Sequence, residues 1–352
     1  MKNVILISLV ALALALFMPF CSAELNISSE EPMNINFSTW HRHDSIEVQT
    51  VWIPMLEVLK EKSNGQITYI LFNGEALGSG PEHYDIVANG SSDMGYATLT
   101  WTPGRFPLTD VLSLPASVKC KEVASSIGNA MYDRILYAEF PDVKMLELNG
   151  CINSYLWTAQ PVYSLEDVKG LRIRSPGGLQ TGCIKAIGAE PIFMPLDDVY
   201  LAMENGTIDG IVTCPPMILS YRLYEVANYG TLVTFGCVDE GLFMNLNSWE
   251  QTPDTLKPLI EEVCQNPYRT TGGMTQETYM DMMGKLDERG VDFYALPHEE
   301  AELWYNKFKE VTRGWVADLE SKGLPAKEAV VMFDQECTKR GVECVACPPE
   351  WR

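Results

Sequence analysis

The sequence predicts an α/β protein of two lobes with a cleft between them, followed by a helical tail. Three observations lead there. The first hundred residues run strand, helix, strand, helix, strand, and from Ser164 the same rhythm returns at higher density. Glycines stand where helices of that rhythm should stop, at Gly65, Gly188 and Gly206. Beyond residue 250 the chain is mostly of helical period.

Element by element, "MNINFS" alternates as a strand. "SIEVQTVWIPMLEVLKEKSNG" places Val48, Val51, Trp52, Met55, Leu56 and Leu59 at helical spacing and ends at Asn64-Gly65, a good stop. "QITYILF" is a strand, "PEHYDIVANG" a short helix and "DMGYAT" a strand. After the loop "WTPGRFPLTDVLSLP" a helix spans about Lys119 to Phe140, followed by the strands "VKMLELN" and "INSYLWTA". From Ser164 come the strand "GLRIRS", the helix "LQTGCIKAIG", the strand "EPIFM", the helix "LDDVYLAMENG" and the strand "TIDGIVT". "YGTLVTFG" and "EGLFMNLN" read as strands. Helices then cover "PDTLKPLIEEVCQ", "TQETYMDMMGKLDERG", Glu299 to Lys322 and Ala326 to Arg340, with a strand "VDFYAL" among them.

The opening "MKNVILISLVALALALFMPFCSAE" has one lysine, an apolar run and the small residues Ser22-Ala23, the layout of a cleaved export signal over residues 1–23. Met18, Pro19 and Phe20 before Cys21 do not make a lipidation box. A soluble exported protein of two ordinary domains is therefore expected. Its formal net charge of −21 repels phosphate backbones and anionic lipid, so nucleic acid and membrane surface are poor partners. Any bound anion must be held by local positive charge in a sheltered place. Of ten cysteines, Cys21 lies in the leader, leaving an odd number. Cys183, Cys214 and Cys264 sit in apolar segments as buried thiols do. In the tail, "CTKRGVECVACPP" favours a local structural disulfide among Cys337, Cys344 and Cys347 over free thiols.

"GLRIRSPGG", residues 170–178, puts Arg172 and Arg174 on one side of a strand that halts at Pro176 and two glycines. Open α/β sheets bind ligands beyond the carboxyl ends of their strands. There a guanidinium, with the free N–H groups of the next helix start, makes a site for a carboxylate.

These residues resemble the extracytoplasmic solute-binding proteins of TRAP (tripartite ATP-independent periplasmic) transporters, the dicarboxylate-binding DctP family, over essentially the whole mature chain. The run "DVKGLRIRSP", the turn "AIGA", the segment "PLDDVY" and the strand "IDGIV" carry the resemblance, with a weaker match at "NGSSDMG" before "PGRFP". It implies the periplasmic binding protein clamshell, an α/β fold whose chain crosses twice between lobes braced by a long helix. Lobe I would hold residues 24–151 and 239–280, lobe II 152–238 and 281–330, and a C-terminal helical tail 331–352. The family's selectivity arginine falls on Arg174, which would meet the ligand carboxylate in a two-pronged salt bridge, and Arg172 falls on the surface. Upstream of it the nearest ligand contact is Trp157. Tyr96, Thr98 and Trp101 would stand at the cleft mouth, with Trp40 and His41 on the first strand-to-helix turn. Leu196 replaces the aromatic residue of sugar-acid binders, and "IVTCP" departs from their pattern to leave Thr213 as the polar contact. A pocket rich in Trp, Tyr and Leu suits a small organic acid with an apolar or aromatic body.

The function so implied is capture of that acid in the periplasm and its delivery to the TRAP membrane subunits by a monomer, with no cofactor, no metal and no enzymatic activity. No Gly-x-Ser-x-Gly, Walker loop or Gly-x-Gly-x-x-Gly after a strand is present. His41, His43 and His83 could be arranged around a metal, but two are expected on loops and no His-Glu-x-x-His exists. A ligand-sensing protein for a sensor kinase is the nearer alternative, and a zinc-dependent exported hydrolase the more distant one.

Overall fold

The computed structural model describes residues 32–352, so the expected export signal lies outside the described residues. In chain order the strands and helices are β1 (Met33–Thr39), α1 (Ile53–Lys62), β2 (Ile67–Phe72), α2 (His83–Ala88), β3 (Met94–Thr98), α3 (Lys121–Met131) and β4 (Val143–Gly150). Next come β5 (Tyr155–Thr158), α4 (Leu165–Val168), β6 (Arg172–Ser175), α5 (Gly178–Ala186), β7 (Glu190–Phe193), α6 (Val199–Glu204), β8 (Gly210–Thr213), α7 (Pro215–Ser220) and β9 (Tyr229–Thr231). The chain ends with β10 (Asp239–Asn245), α8 (Leu246–Gln251), α9 (Lys257–Cys264), α10 (Pro267–Thr271), α11 (Gln276–Glu288), β11 (Asp292–Tyr294), α12 (His298–Ser321) and α13 (Ala326–Lys339).

Two sheets result, ordered β2-β1-β3-β10-β4 and β11-β9-β5-β8-β6-β7. The first three strands are parallel, as their βαβ rhythm requires. β3 is buried at all five positions, as a strand covered on both faces must be. β10 enters between β3 and β4 antiparallel to both, and β5 does the same between β9 and β8. The chain thus leaves the first sheet after Gly150, joins the second at Tyr155, and returns at Asp239. The resulting fold is the two-lobed clamshell.

The expected strand "YGTLVTFG" forms only over Tyr229–Thr231, because the residues after it belong to the return crossing. α12, the longest helix at 24 residues, packs on α5 and α4 of the second lobe. α13 packs against both α12 and α3, so this helical pair bridges the lobes. The expected tail disulfide is not formed: all nine described cysteines are free. Cys344 is held in an antiparallel bridge to Ala116, whereas Cys347 turns its Sγ toward the Pro348 carbonyl. Among the described residues no helix is long and apolar enough to cross a membrane.

Candidate ligand-binding site

Two adjoining spaces lie between the ends of the two sheets and share Trp40, Trp101, Arg174 and Leu196 as walls. The outer one, about 250 Å³, is also lined by Glu75, Ser79, Phe193, Met194, Asp197 and Tyr221. The inner one, about 30 Å³, reaches His41, Glu47, Thr98, Cys151, Thr213, Cys214 and Glu240. Together they suit a ligand of about one ring rather than a nucleotide.

The strand end around Arg174 explains why two arginines on one face have different tasks. Arg172 is half-buried and forks onto Asp209, Nε to Oδ2 at 3.0 Å and Nη2 to Oδ1 at 2.7 Å, while its own N–H donates to Oδ2 at 2.8 Å. That pair ties β6 to the start of β8. Arg174 is 3% exposed, and no carboxylate among the described residues pairs with it. Its Nε donates to the Met194 carbonyl at 3.2 Å. Burial lowers its pKa to about 10, so it stays charged at neutral pH without a counter-ion. After Pro176 the chain passes Gly177 at φ +114° and Gly178 at φ +52°. A Cβ on Gly177 would stand 2.7 Å from the Thr100 carbonyl of the opposite lobe. Glycine is needed here both for its backbone angle and for this close approach.

Seven of the nine expected contacts line the two spaces: Trp40, His41, Thr98, Trp101, Arg174, Leu196 and Thr213. Trp40 stacks on His41 with ring centroids 3.9 Å apart and leans on Trp101 at 4.6 Å. The Trp40 Nε1 is buried with no acceptor. His41 Nδ1 lies 2.9 Å from Thr39 Oγ1, and burial holds its pKa well below the usual imidazole range.

The other two expected contacts do not face the ligand space. Trp157 is fully buried behind it and donates Nε1 to the Thr213 carbonyl at 2.9 Å, fixing the end of β8. Tyr96 is turned into a buried polar cluster, its hydroxyl donating to Glu240 Oε2 at 2.8 Å. Tyr96 shares its face of β3 with Thr98, two residues on, but lies one step deeper along the strand, where Glu240 takes its hydroxyl. Glu240 in turn forms a buried ion pair with Lys121, whose ammonium also reaches Tyr96 and Asn149.

Glu47, Glu75, Tyr221 and Glu240 were not foreseen. For Glu47 a signal existed: it stands four residues before Val51 and eight before Met55, on the apolar stripe of the helix. A carboxyl on that stripe is either a defect or a site. Burial raises its pKa to about 7, and Oε2 has no hydrogen-bond partner. His43 and His83 lie elsewhere: His43 Nδ1 is 2.8 Å from Asn73 Nδ2, and His83 is buried in α2. Among the described residues no group of three metal-ligating side chains converges.

Residues 37–318 match the model of the bacterial extracellular solute-binding proteins, family 7. The chain belongs to that family. Among its relatives, the C4-dicarboxylate-binding periplasmic protein DctP of Rhodobacter capsulatus is 23% identical over 312 residues, covering 85% of this chain and 89% of that protein. The sialic acid-binding periplasmic protein SiaP of Vibrio cholerae is 26% identical over 219 residues, covering 60% and 67%. In fold, this family 7 protein is similar to a marine metagenome TRAP solute-binding protein specific for aromatic acid ligands, solved with 3-hydroxybenzoate. The TM-score is 0.83 at 21% identity, over 88% of this chain and 99% of that one. A Rhodoferax ferrireducens TRAP solute-binding protein with copurified benzoate gives 0.81 at 23% identity, over 88% and 98%. As a member of family 7 the protein is a TRAP-type solute-binding protein.

Proposed function

We propose that the protein is exported to the periplasm, captures a small monocarboxylate with an apolar or aromatic body, and hands it as a monomer to the membrane subunits of a TRAP transporter. The observation that carries this reading is Arg174: a buried guanidinium with no carboxylate partner among the described residues, set in a space walled by Trp40, Trp101 and Leu196. A charge held out of water without a partner is costly, and a ligand carboxylate removes that cost. The aromatic walls supply apolar area for a ring. Benzoate and 3-hydroxybenzoate in the related structures support the same class. Lobe limits at residues 151/152, 238/239 and 280/281 accompany this reading.

A thermal-shift panel tests it, because a ligand that binds only the native state raises the melting temperature. Benzoate, phenylacetate and mandelate should raise it, whereas neutral sugars and polyols should not. Stabilisation by neutral sugars and none by acids would overturn the proposal.

A further inference from the structure

The unmet polar groups of the site describe more of the ligand than its carboxylate. Arg174 and the Trp40 indole N–H are donors without adequate acceptors. Glu47 has one open carboxyl oxygen: the side chain is 3% exposed and lines the inner space, and its Oε2 has no hydrogen-bond partner among the described residues. Buried carboxyl oxygens in folded proteins are nearly always satisfied, so one left open beside a cavity is waiting for a group that comes with the ligand. No ion pair joins Glu47 to Arg174 or Lys121 among the described residues, although Lys121 takes Glu240 nearby.

Local backbone supports the same conclusion. Glu47 is followed at once by a single π-helical turn, Val48–Trp52, before α1 resumes regular α geometry at Ile53. A π turn inserts one residue into the helical repeat and re-aims the side chains beside it, and such turns recur at functional sites. Val48, Val51 and Trp52 remain fully buried, so the helix keeps its core face while turning one carboxyl toward the cleft.

We infer that the ligand carries a hydrogen-bond donor, a hydroxyl or an amine, besides its carboxylate, and that Glu47 accepts it and so sets specificity among acids of similar shape. The inference rests on the proposed capture of a carboxylate by Arg174 and adds a second fixed point in the same space. A bare ring acid fills the site but strands the Glu47 oxygen, whereas a substituted acid of the same size satisfies it. Sites built to hydrogen-bond a substrate group discriminate strongly against analogues lacking it, because the unmet partner stays buried.

Calorimetric titration of the full mature chain tests this with benzoate, its three monohydroxy isomers and its three monoamino isomers, the two series separating hydroxyl from amine. The expected result is that at least one substituted isomer binds about tenfold or more tightly than benzoate. In Glu47→Leu that preference should collapse toward unity, the substituted acid losing about tenfold more affinity than benzoate. Glu47→Gln, which keeps an acceptor oxygen and a similar shape, should retain part of it, and melting curves of both variants confirm folding. Equal affinity of wild-type protein for benzoate and every substituted isomer overturns the inference while leaving carboxylate capture intact. So does a Glu47→Leu variant that loses benzoate and the preferred isomer to the same extent. Binding of none of the acids removes both readings together.

Discussion

Replacing Arg174 with alanine should abolish most ligand affinity and leave the ligand-free fold intact, and the combination is what distinguishes a binding residue from a structural one. Burial lowers the guanidinium pKa from 12.5 to about 10, which corresponds to roughly 3 kcal/mol of desolvation that the protein's own groups do not offset. A ligand carboxylate meeting that charge in a water-excluded space recovers an energy of this order. Truncating one member of a buried, hydrogen-bonded charge pair costs about 2–5 kcal/mol. At about 1.4 kcal/mol per tenfold, Arg174→Ala should weaken binding between about thirty-fold and a few thousand-fold. Its ligand-free melting temperature should hold or rise, since the lost side chain gave up one hydrogen bond and an unpaired charge. Arg174→Lys should also bind weakly, because an ammonium cannot reproduce the planar fork. Arg172→Ala should bind nearly as wild type does, since Arg172 spends its fork on Asp209. Titration calorimetry and melting curves on the three variants, with the best acid from the panel, provide the measurement. Loss of binding in Arg172→Ala with retention within about threefold in Arg174→Ala would refute the reasoning.

Gly177→Ala should weaken binding about ten- to hundred-fold, because a Cβ 2.7 Å from the Thr100 carbonyl adds strain of about 1–3 kcal/mol that falls on the closed cleft; affinity unchanged in titration would show that the lobes need not approach here. Lys121→Met should lower stability by about 3–5 kcal/mol by stranding the buried Glu240 carboxylate, and adding Glu240→Leu should recover much of it; urea unfolding that shows no recovery would mean the cluster is not organised by this pair. Stability should also fall as pH rises from 6.5 to 9. Burial raises the pKa of Glu147 from 4.5 to about 8 and that of Glu47 to about 7, so the folded state holds protons that the unfolded state has released, and that stability is lost as pH passes through the folded values. The buried His83, lowered to about 4, acts with the opposite sign but only below its ordinary value of 6.5. Glu147→Gln should flatten the slope; a melting temperature that stays level or climbs from pH 6.5 to 9 in the wild type would contradict it.

Much of this protein is legible without coordinates because the features concerned are local. The β1-α1-β2-α2-β3 rhythm, the stop of β6 at Pro176 and the start of α5 at the glycine pair follow from periodicity and turn chemistry within a few residues. The position of Arg174 is legible for the same reason: a strand end, a guanidinium and two glycines are adjacent in sequence and remain adjacent in space. The insertion of β10 between β3 and β4 is not local, and nothing in "EGLFMNLN" states which strands it will join.

The same division runs through the candidate site. Sequence by itself determined the α/β class, the strand end that carries Arg174 and several of the stretches that line the two spaces. Tertiary structure alone decided how deep each side chain lies, burying Trp157 and Tyr96 in contacts of their own while Trp40 and Trp101 line the two spaces. It also decided which charges are spent and which are free. Arg172 and Arg174 share one face of a strand, and Glu47 and Glu57 one helical segment, yet their surroundings differ. They part company because ion pairing depends on what another segment brings within about 4 Å. Asp209 lies beside Arg172 across the β6–β8 register, whereas Arg174 is buried with no carboxylate paired to it among the described residues.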